Sequence, residues 1–65
     1  MNLSEKLARN LRTRRGQQTQ DAFARKLGIS RATLTRLESA SQNTTLKTLD
    51  QITKNLRCDV GDLFK

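Results

Sequence analysis

Residues 19–38 read TQDAFARKLGISRATLTRLE and contain two short helical patterns separated by a single glycine. Thr19 is a suitable N-cap, and Phe23 and Leu27 follow it on one face at helical spacing. Gly28 fits the left-handed position just beyond a helix end, where a side chain would clash with the backbone. The first half of the stretch therefore predicts a helix that ends at Leu27.

The second pattern begins with another N-cap. Ser30 is flanked by apolar Ile29 before it and apolar Leu34 four residues later. This arrangement is typical of a hydrophobic staple, which fixes the angle at which the chain enters the new helix. Because two helices joined by so tight a turn cross steeply, we expect the second helix to stand out from the body of the domain.

The second helix has two distinct faces when its residues are counted at about 100° each. Leu34 and Leu37 lie on the apolar face and predict contact with the core. The opposite arc carries two arginines and small residues, namely Arg31, Ala32, Thr35 and Arg36. Arginine can make paired hydrogen bonds to a guanine edge, and small side chains let the helix backbone lie deep in a groove. This arc therefore favours binding in the major groove of DNA.

The same stretch resembles the helix-turn-helix of the Cro/repressor family of lambdoid phages and their bacterial relatives. The closest correspondence lies at Gln20, Ala24, Leu27, Gly28, Ser30, Leu37 and Glu38. A looser correspondence covers Leu11, Arg12, Leu46, Leu49, Ile52, Leu56 and residues 62–64. The resemblance implies an all-α, compact, five-helix lambda-repressor-like domain whose helices 2 and 3 form the helix-turn-helix and bind double-stranded DNA.

Length and composition limit the other functions open to this chain. Its 65 residues suit one domain, residues 1–65, with a single modest core. It has no apolar run long enough to span a membrane, and the N-terminus lacks the apolar run of a signal peptide. Its one cysteine, Cys58, cannot form an internal disulfide, and there is no histidine for a catalytic triad. We therefore expect a cytoplasmic, nucleoid-associated protein with no enzymatic activity, metal, cofactor or small-molecule ligand.

The charge is unevenly distributed along the sequence. The formal net charge is +7, and residues 1–36 hold nine basic residues against two acidic ones. Residues 37–65 hold four of each sign. The whole excess therefore lies in the half that contains the helix-turn-helix pattern, which indicates a polyanionic partner. Nucleic acid is a better candidate than a membrane surface because the apolar residues are spread over several short helices.

Capping and apolar spacing predict the remaining elements. Helix 1 should run from Leu3 to Arg14, helix 2 from Gln20 to Leu27, helix 3 from Arg31 to Ser39 and helix 4 from Leu46 to Leu56. A short fifth helix should follow Asp59 and carry Val60, Leu63 and Phe64. Cys58 is interpreted as a small core residue. Phe64 either closes the monomer core or remains exposed at a dimer contact.

Several positions depart from the family pattern. The connection formed by Gly16, Gln17 and Gln18 is one residue longer than usual, so either the loop bulges or the glutamines turn outward towards phosphates. Ala40 and Arg57 replace glycines that usually follow helices 3 and 4. Ala40 either adopts a positive φ, at a cost of about 1 kcal/mol, or forms a different turn that avoids the strain.

The resemblance also implies roles for individual residues. In the family, an arginine at the position of Arg12 typically pairs with the glutamate at the position of Glu38, and Gly28 is structural. Base contacts are expected from Arg31, Ala32, Thr35 and Arg36. Contacts to the DNA backbone are expected from Thr19, Gln20, Ser30, Thr33 and Asn43, with longer-range attraction from Arg9, Arg14 and Arg15.

The function predicted from these features is sequence-specific transcriptional regulation. Because one such domain covers few base pairs, we expect a homodimer on a near-palindromic operator, formed either in solution or only on DNA. The short chain leaves no room for an effector-binding or cleavable domain, so regulation would come from occupying promoter DNA. A restriction–modification controller protein is a variant of this function. The alternative is an antitoxin-type module that binds a toxin partner and regulates its own operon.

Overall fold

The computed structural model describes residues 2–41 and 44–65, and in these ranges every regular element is helical. Four α-helices, α1 (Leu3–Arg15), α2 (Gln20–Leu27), α3 (Arg31–Glu38) and α4 (Leu46–Leu56), precede a 3-10 helix at Val60–Phe64. The predicted bounds of α2 and α4 are confirmed, whereas α1 is one residue longer and α3 one residue shorter than expected. The all-helical class is confirmed. The expected count of five helices is not confirmed, because the described residues form four α-helices and the last element is a 3-10 helix.

Each α-helix begins at a polar side chain that accepts a hydrogen bond from the backbone N–H three residues later. The bonds are Glu5 N to Asn2 Oδ1 (2.8 Å), Ala22 N to Thr19 Oγ1 (3.0 Å), Thr33 N to Ser30 Oγ (3.1 Å) and Thr48 N to Thr45 Oγ1 (3.1 Å). In the 3-10 helix the Asp59 N–H donates to Asp62 Oδ2 at 3.1 Å. These local bonds explain why the helices begin where they do.

One apolar core joins all of the helical elements. Its buried members are Leu7, Leu11, Phe23, Ala24, Leu27, Leu34, Leu37, Leu49, Ile52 and Leu63. Cys58 and Phe64 are partly buried and pack against this cluster. α1 packs on α3 and on the 3-10 helix, while α2 packs on both α3 and α4. The helix-turn-helix is therefore held between α1 on one side and α4 on the other.

The turn between α2 and α3 is fixed by backbone geometry and by a contact from α4. Gly28 has φ +77° and ψ +26°, the left-handed conformation that the sequence predicts. The Ile29 N–H donates to the Ala24 carbonyl at 3.0 Å, and Asn55 Nδ2 donates to the Leu27 carbonyl at 2.7 Å. These bonds satisfy carbonyl groups at the end of α2 and set the direction in which α3 leaves the turn.

Two non-glycine residues adopt the left-handed conformation after α3 and α4. Ala40 and Arg57 both have φ +56°. The Ser41 N–H donates to the Arg36 carbonyl at 3.1 Å, and the Cys58 N–H donates to the Thr53 carbonyl at 3.1 Å. Of the two conformations open to Ala40, the chain therefore adopts the strained one, because this turn returns hydrogen bonds to the end of α3.

Candidate nucleic-acid interface

The exposed face of α3 carries the four side chains that the sequence assigns to base contacts. Arg31, Ala32, Thr35 and Arg36 are all exposed. On the opposite face Leu34, Leu37 and Glu38 are buried. The division between an inward and an outward face of α3 is therefore present in the fold, although the inward face ends in a charged residue.

Arg31 lies beside a carboxylate of the preceding helix. Its Nε is 3.7 Å from Asp21 Oδ1, and both side chains are more than 60% exposed (63% and 64%). An ion pair this open and this long contributes little to stability because water screens both charges. Arg31 can therefore leave Asp21 for another anion at low cost.

The start of α3 is held by paired hydroxyl groups. Ser30 Oγ donates to Thr33 Oγ1 at 2.8 Å and accepts from the Thr33 N–H at 3.1 Å. Thr33 is half-buried, whereas Ser30 is exposed. Both hydroxyls are thus part of the helix cap, and each oxygen keeps a lone pair that can accept a hydrogen bond from a further partner.

The start of α2 presents backbone N–H groups. Thr19 Oγ1 caps the Ala22 N–H, and the first intrahelical bond runs from the Phe23 N–H to the Thr19 carbonyl at 3.0 Å. The N–H of Gln20 precedes that first bond, so it points out of the helix end together with the positive end of the helix dipole. Such a helix end is suited to a phosphate oxygen.

Glu38, the last residue of α3, carries a buried carboxylate with two side-chain partners. Its residue exposure is 5%. Arg15 Nε donates to Oε2 at 2.9 Å and to Oε1 at 3.2 Å, and Gln20 Nε2 donates to Oε1 at 3.1 Å. Gln20 Oε1 in turn accepts a hydrogen bond from Thr35 Oγ1 at 3.2 Å. The ends of α1, α2 and α3 therefore meet in one polar network.

Arg12 contacts Glu38, as the resemblance implies, although the contact does not involve the Glu38 carboxylate. Arg12 Nη1 does donate to Glu38, but to its backbone carbonyl, and the ion pair with the carboxylate belongs to Arg15. The two arginines lie three residues apart on α1 and so share one face. α1 continues to Arg15, which places a second arginine next to the end of α3. The expected attachment of α1 to the end of α3 is present, with Arg15 in the charged role.

Arg15 was expected to provide long-range attraction to DNA, but its guanidinium makes hydrogen bonds to groups of the same domain. Besides the Glu38 carboxylate it binds the Gln18 carbonyl, through Nη1 at 3.0 Å. The hydrogen bond between Gln20 and Thr35 was likewise not predicted from the sequence. No spacing in the sequence signals it, because it depends on how steeply α2 and α3 cross.

The other residues that were predicted to contact or attract the DNA backbone lie in different surroundings. Arg9 and Arg14 are exposed on α1, while Asn43 lies outside the described residues.

Asn10, one turn before Arg14, donates to the Leu63 carbonyl at 2.9 Å. The pKa of the Asp62 carboxyl is lowered mainly by its hydrogen bond with Lys65, then by the Asp59 N–H, with a smaller contribution from Arg14. Arg14 therefore lies on the side of α1 that faces the C-terminal 3-10 helix.

Within residues 2–41 and 44–65, no cluster of histidine, cysteine, aspartate and glutamate could hold a metal ion. None of the helices described is both long enough and apolar enough to cross a bilayer.

Comparison with known protein families identifies the fold and its general function. A family model described as a Cro/C1-type helix-turn-helix DNA-binding domain matches residues 6–65. Comparisons with curated proteins and with solved structures found no match. The matched range contains the whole helix-turn-helix and the core around it, which supports a DNA-binding regulator and does not favour the antitoxin alternative. The chain belongs to the Cro/C1-type helix-turn-helix DNA-binding family.

Proposed function

We propose that this chain is a sequence-specific transcriptional regulator that inserts α3 into the major groove of double-stranded DNA. The observation that carries the proposal is the exposed face of α3, where two arginines flank small side chains while leucines hold the opposite face in the core. A rigid helix with this division of faces can enter a groove without exposing the core.

The proposal assigns base recognition to four residues. Arg31 and Arg36 make paired hydrogen bonds to guanine, while Ala32 and Thr35 contact a base edge or a thymine methyl and set the depth of insertion. Loss of one base-reading arginine should cost about 1–3 kcal/mol and relax the preference at one position of the site.

Contacts to the DNA backbone would fix the register of α3. Candidates are the first-turn N–H of Gln20 and the polar groups of Thr19, Ser30, Thr33 and Asn43. Arg9 and Arg14 add to the net charge of +7 that attracts the phosphates. Arg15 contributes charge to this field, but its hydrogen bonds hold Glu38. Loss of a phosphate-facing residue should weaken all DNA sequences alike and reduce the salt dependence.

The proposed regulator acts as a homodimer on a near-palindromic site with half-sites about one helical turn apart. An apolar groove of about 240 Å³ supports a dimer contact on the side of the molecule that includes Thr44 and the C-terminal 3-10 helix. Thr44 and Phe64 line it, as do Leu3, Leu7 and Leu37. Val60, which is 51% exposed, adds apolar surface in the C-terminal helix. Sedimentation with and without operator DNA tests whether the dimer forms before or on binding.

The proposal is tested by selecting binding sites from random duplex DNA, followed by footprinting at two salt concentrations. The wild-type protein should select a near-palindromic sequence. Arg31→Ala and Arg36→Ala should each relax one position of that sequence, whereas Lys54→Ala, the same loss of charge on α4, should leave the selected sequence unchanged. Unchanged sequence preference in both arginine variants would show that α3 is not the reading helix.

A further inference from the structure

A chain of four polar side chains runs from α1 to the exposed face of α3. It begins at Arg15, passes through the buried carboxylate of Glu38 and the amide of Gln20, and ends at the hydroxyl of Thr35. Every link is within 3.2 Å between donor and acceptor atoms. The order of donors and acceptors along this chain determines what Thr35 can offer to a ligand.

The first link determines that the Glu38 carboxylate acts only as a hydrogen-bond acceptor. Glu38 is buried, and its side chain is ion-paired with Arg15 at 2.9 Å. A carboxylate paired in this way has only lone pairs to offer, so every neighbour in hydrogen-bond range must donate to it.

The second link fixes the orientation of the Gln20 amide. The group of Gln20 that lies 3.1 Å from Glu38 Oε1 has to be the NH₂ group, because a carbonyl oxygen there would face a carboxylate oxygen without a hydrogen between them. The two ends of an amide are assigned from such networks, and here the neighbour allows one assignment. The carbonyl oxygen of Gln20 therefore points towards Thr35.

The third link fixes the hydroxyl of Thr35. It lies 3.2 Å from Gln20 Oε1, which carries no hydrogen, so the hydroxyl must donate. A threonine hydroxyl has one hydrogen and two lone pairs. Once that hydrogen is used, the oxygen of Thr35 can act only as an acceptor towards anything that approaches the exposed face of α3.

We propose that Thr35 is a specificity-determining residue that reads DNA as a hydrogen-bond acceptor only, and that Gln20 is the positioning residue that imposes this. This inference rests on the proposed function, in which α3 lies in the major groove. Threonine by itself can bond to any base because its hydroxyl can donate or accept. With its hydrogen held by Gln20, Thr35 accepts from an exocyclic amino group, which adenine and cytosine present in the major groove and guanine and thymine do not. The contacted position should therefore be adenine or cytosine.

The test is binding-site selection with four variants, Thr35→Val, Thr35→Ser, Gln20→Met and Thr53→Val. The wild-type protein should prefer adenine or cytosine at one position per half-site by about 3- to 10-fold, the range expected for one hydrogen bond. Thr35→Val keeps the size of the side chain and should remove this preference, whereas Thr35→Ser keeps the hydroxyl and should retain it. Thr53→Val makes the same change on α4 and should have no effect.

Gln20→Met tests whether Thr35 is controlled by the hydrogen-bond relay, which we define as the chain from Arg15 through Glu38 and Gln20 to Thr35. Without the relay, Thr35 would make its DNA contact independently of Gln20. The substitution keeps the length of the side chain and the backbone N–H but frees the hydroxyl hydrogen of Thr35. Guanine and thymine should then be accepted about as well as adenine and cytosine at the same position. Thermal unfolding of each variant shows that the domain is folded, and the Thr35 variants test the contact even if Gln20→Met is unstable.

The possible failures are distinguishable. If Arg31→Ala and Arg36→Ala change the selected sequence but Thr35→Val and Gln20→Met do not, the relay is overturned and the proposed function stands. A wild-type preference for thymine that Thr35→Val retains would show a methyl contact and also overturn the relay. If none of these variants alters the selected sequence, the proposed function itself fails.

Discussion

Arg15 Nε lies 2.9 Å from Glu38 Oε2, and this ion pair joins the last turn of α1 to the last residue of α3. The Glu38 side chain is 4% exposed and that of Arg15 is 25% exposed. Because the carboxylate is almost fully removed from water, its charge depends on the arginine and on the Gln20 amide for stabilisation. The position of α3 relative to the rest of the domain therefore depends on a polar contact as well as on leucine packing.

Replacement of Arg15 by alanine should destabilise the domain by about 2–4 kcal/mol, because it leaves a buried carboxylate without its counter-charge. Arg12→Ala removes only a hydrogen bond to the Glu38 carbonyl and should cost about 1 kcal/mol. Arg14→Ala, an exposed control on the same helix, should change stability by less than about 0.5 kcal/mol. Urea denaturation measures all three, and a larger loss in Arg12→Ala than in Arg15→Ala would contradict this ranking.

A second change checks the cause of that loss. In the Arg15→Ala background, Glu38→Gln should recover part of the lost stability, since a neutral amide needs no counter-charge. If the double variant is no more stable than Arg15→Ala alone, the loss comes from packing of the arginine side chain instead.

Gly28→Ala should destabilise the turn between α2 and α3 by more than about 1 kcal/mol. The position has φ +77°, and an added Cβ would lie 2.7 Å from Asn55 Nδ2 and 2.8 Å from Gln51 Nε2. Asn55 would have to move and lose its bond to the Leu27 carbonyl. Gly61→Ala is the matched control, because nothing lies within 4 Å of its added Cβ. Equal melting temperatures for the two variants would refute the predicted clash.

Ala40→Gly should stabilise the domain by about 0.5–1 kcal/mol, because glycine adopts a positive φ without the steric penalty of a side chain. Arg57→Gly should act in the same direction, since both residues have φ +56°. Ala22→Gly, at an exposed position within α2, should have the opposite sign because glycine weakens a helix. Denaturation midpoints measure these differences, and a loss of stability in Ala40→Gly would mean that the positive φ at residue 40 is not retained in solution.

Asp21→Asn should strengthen DNA binding by about 2- to 5-fold at low salt, the effect expected from an exposed ion pair. The carboxylate lies 3.7 Å from Arg31 Nε and competes with DNA for that guanidinium. Glu5→Gln makes the same change in net charge in the first turn of α1 and should have a smaller effect. The measurement is fluorescence anisotropy with a selected site at two salt concentrations. Equal gains in the two variants would mean that only net charge matters.

Much of the fold follows from local features of the sequence. Thr19 and Ser30 cap helices at the predicted positions, and Gly28 has the predicted left-handed conformation. These features are predictable because a cap or a turn depends on residues within about one helical turn of it. The exposed arc of α3 was predictable for the same reason, since helical periodicity assigns each residue to a face.

The tertiary structure decided which distant groups meet. The Glu38 carboxylate pairs with Arg15, 23 residues away in the sequence, and not with Arg12. This choice depends on where α1 ends and on how closely α3 approaches it. The bond between Thr35 and Gln20 depends on the crossing of α2 and α3. Ala40 adopts its positive φ because the bond from the Ser41 N–H to the Arg36 carbonyl outweighs the local strain. Local preferences set the helices, whereas side-chain partners are selected by the distances that the packed helices impose.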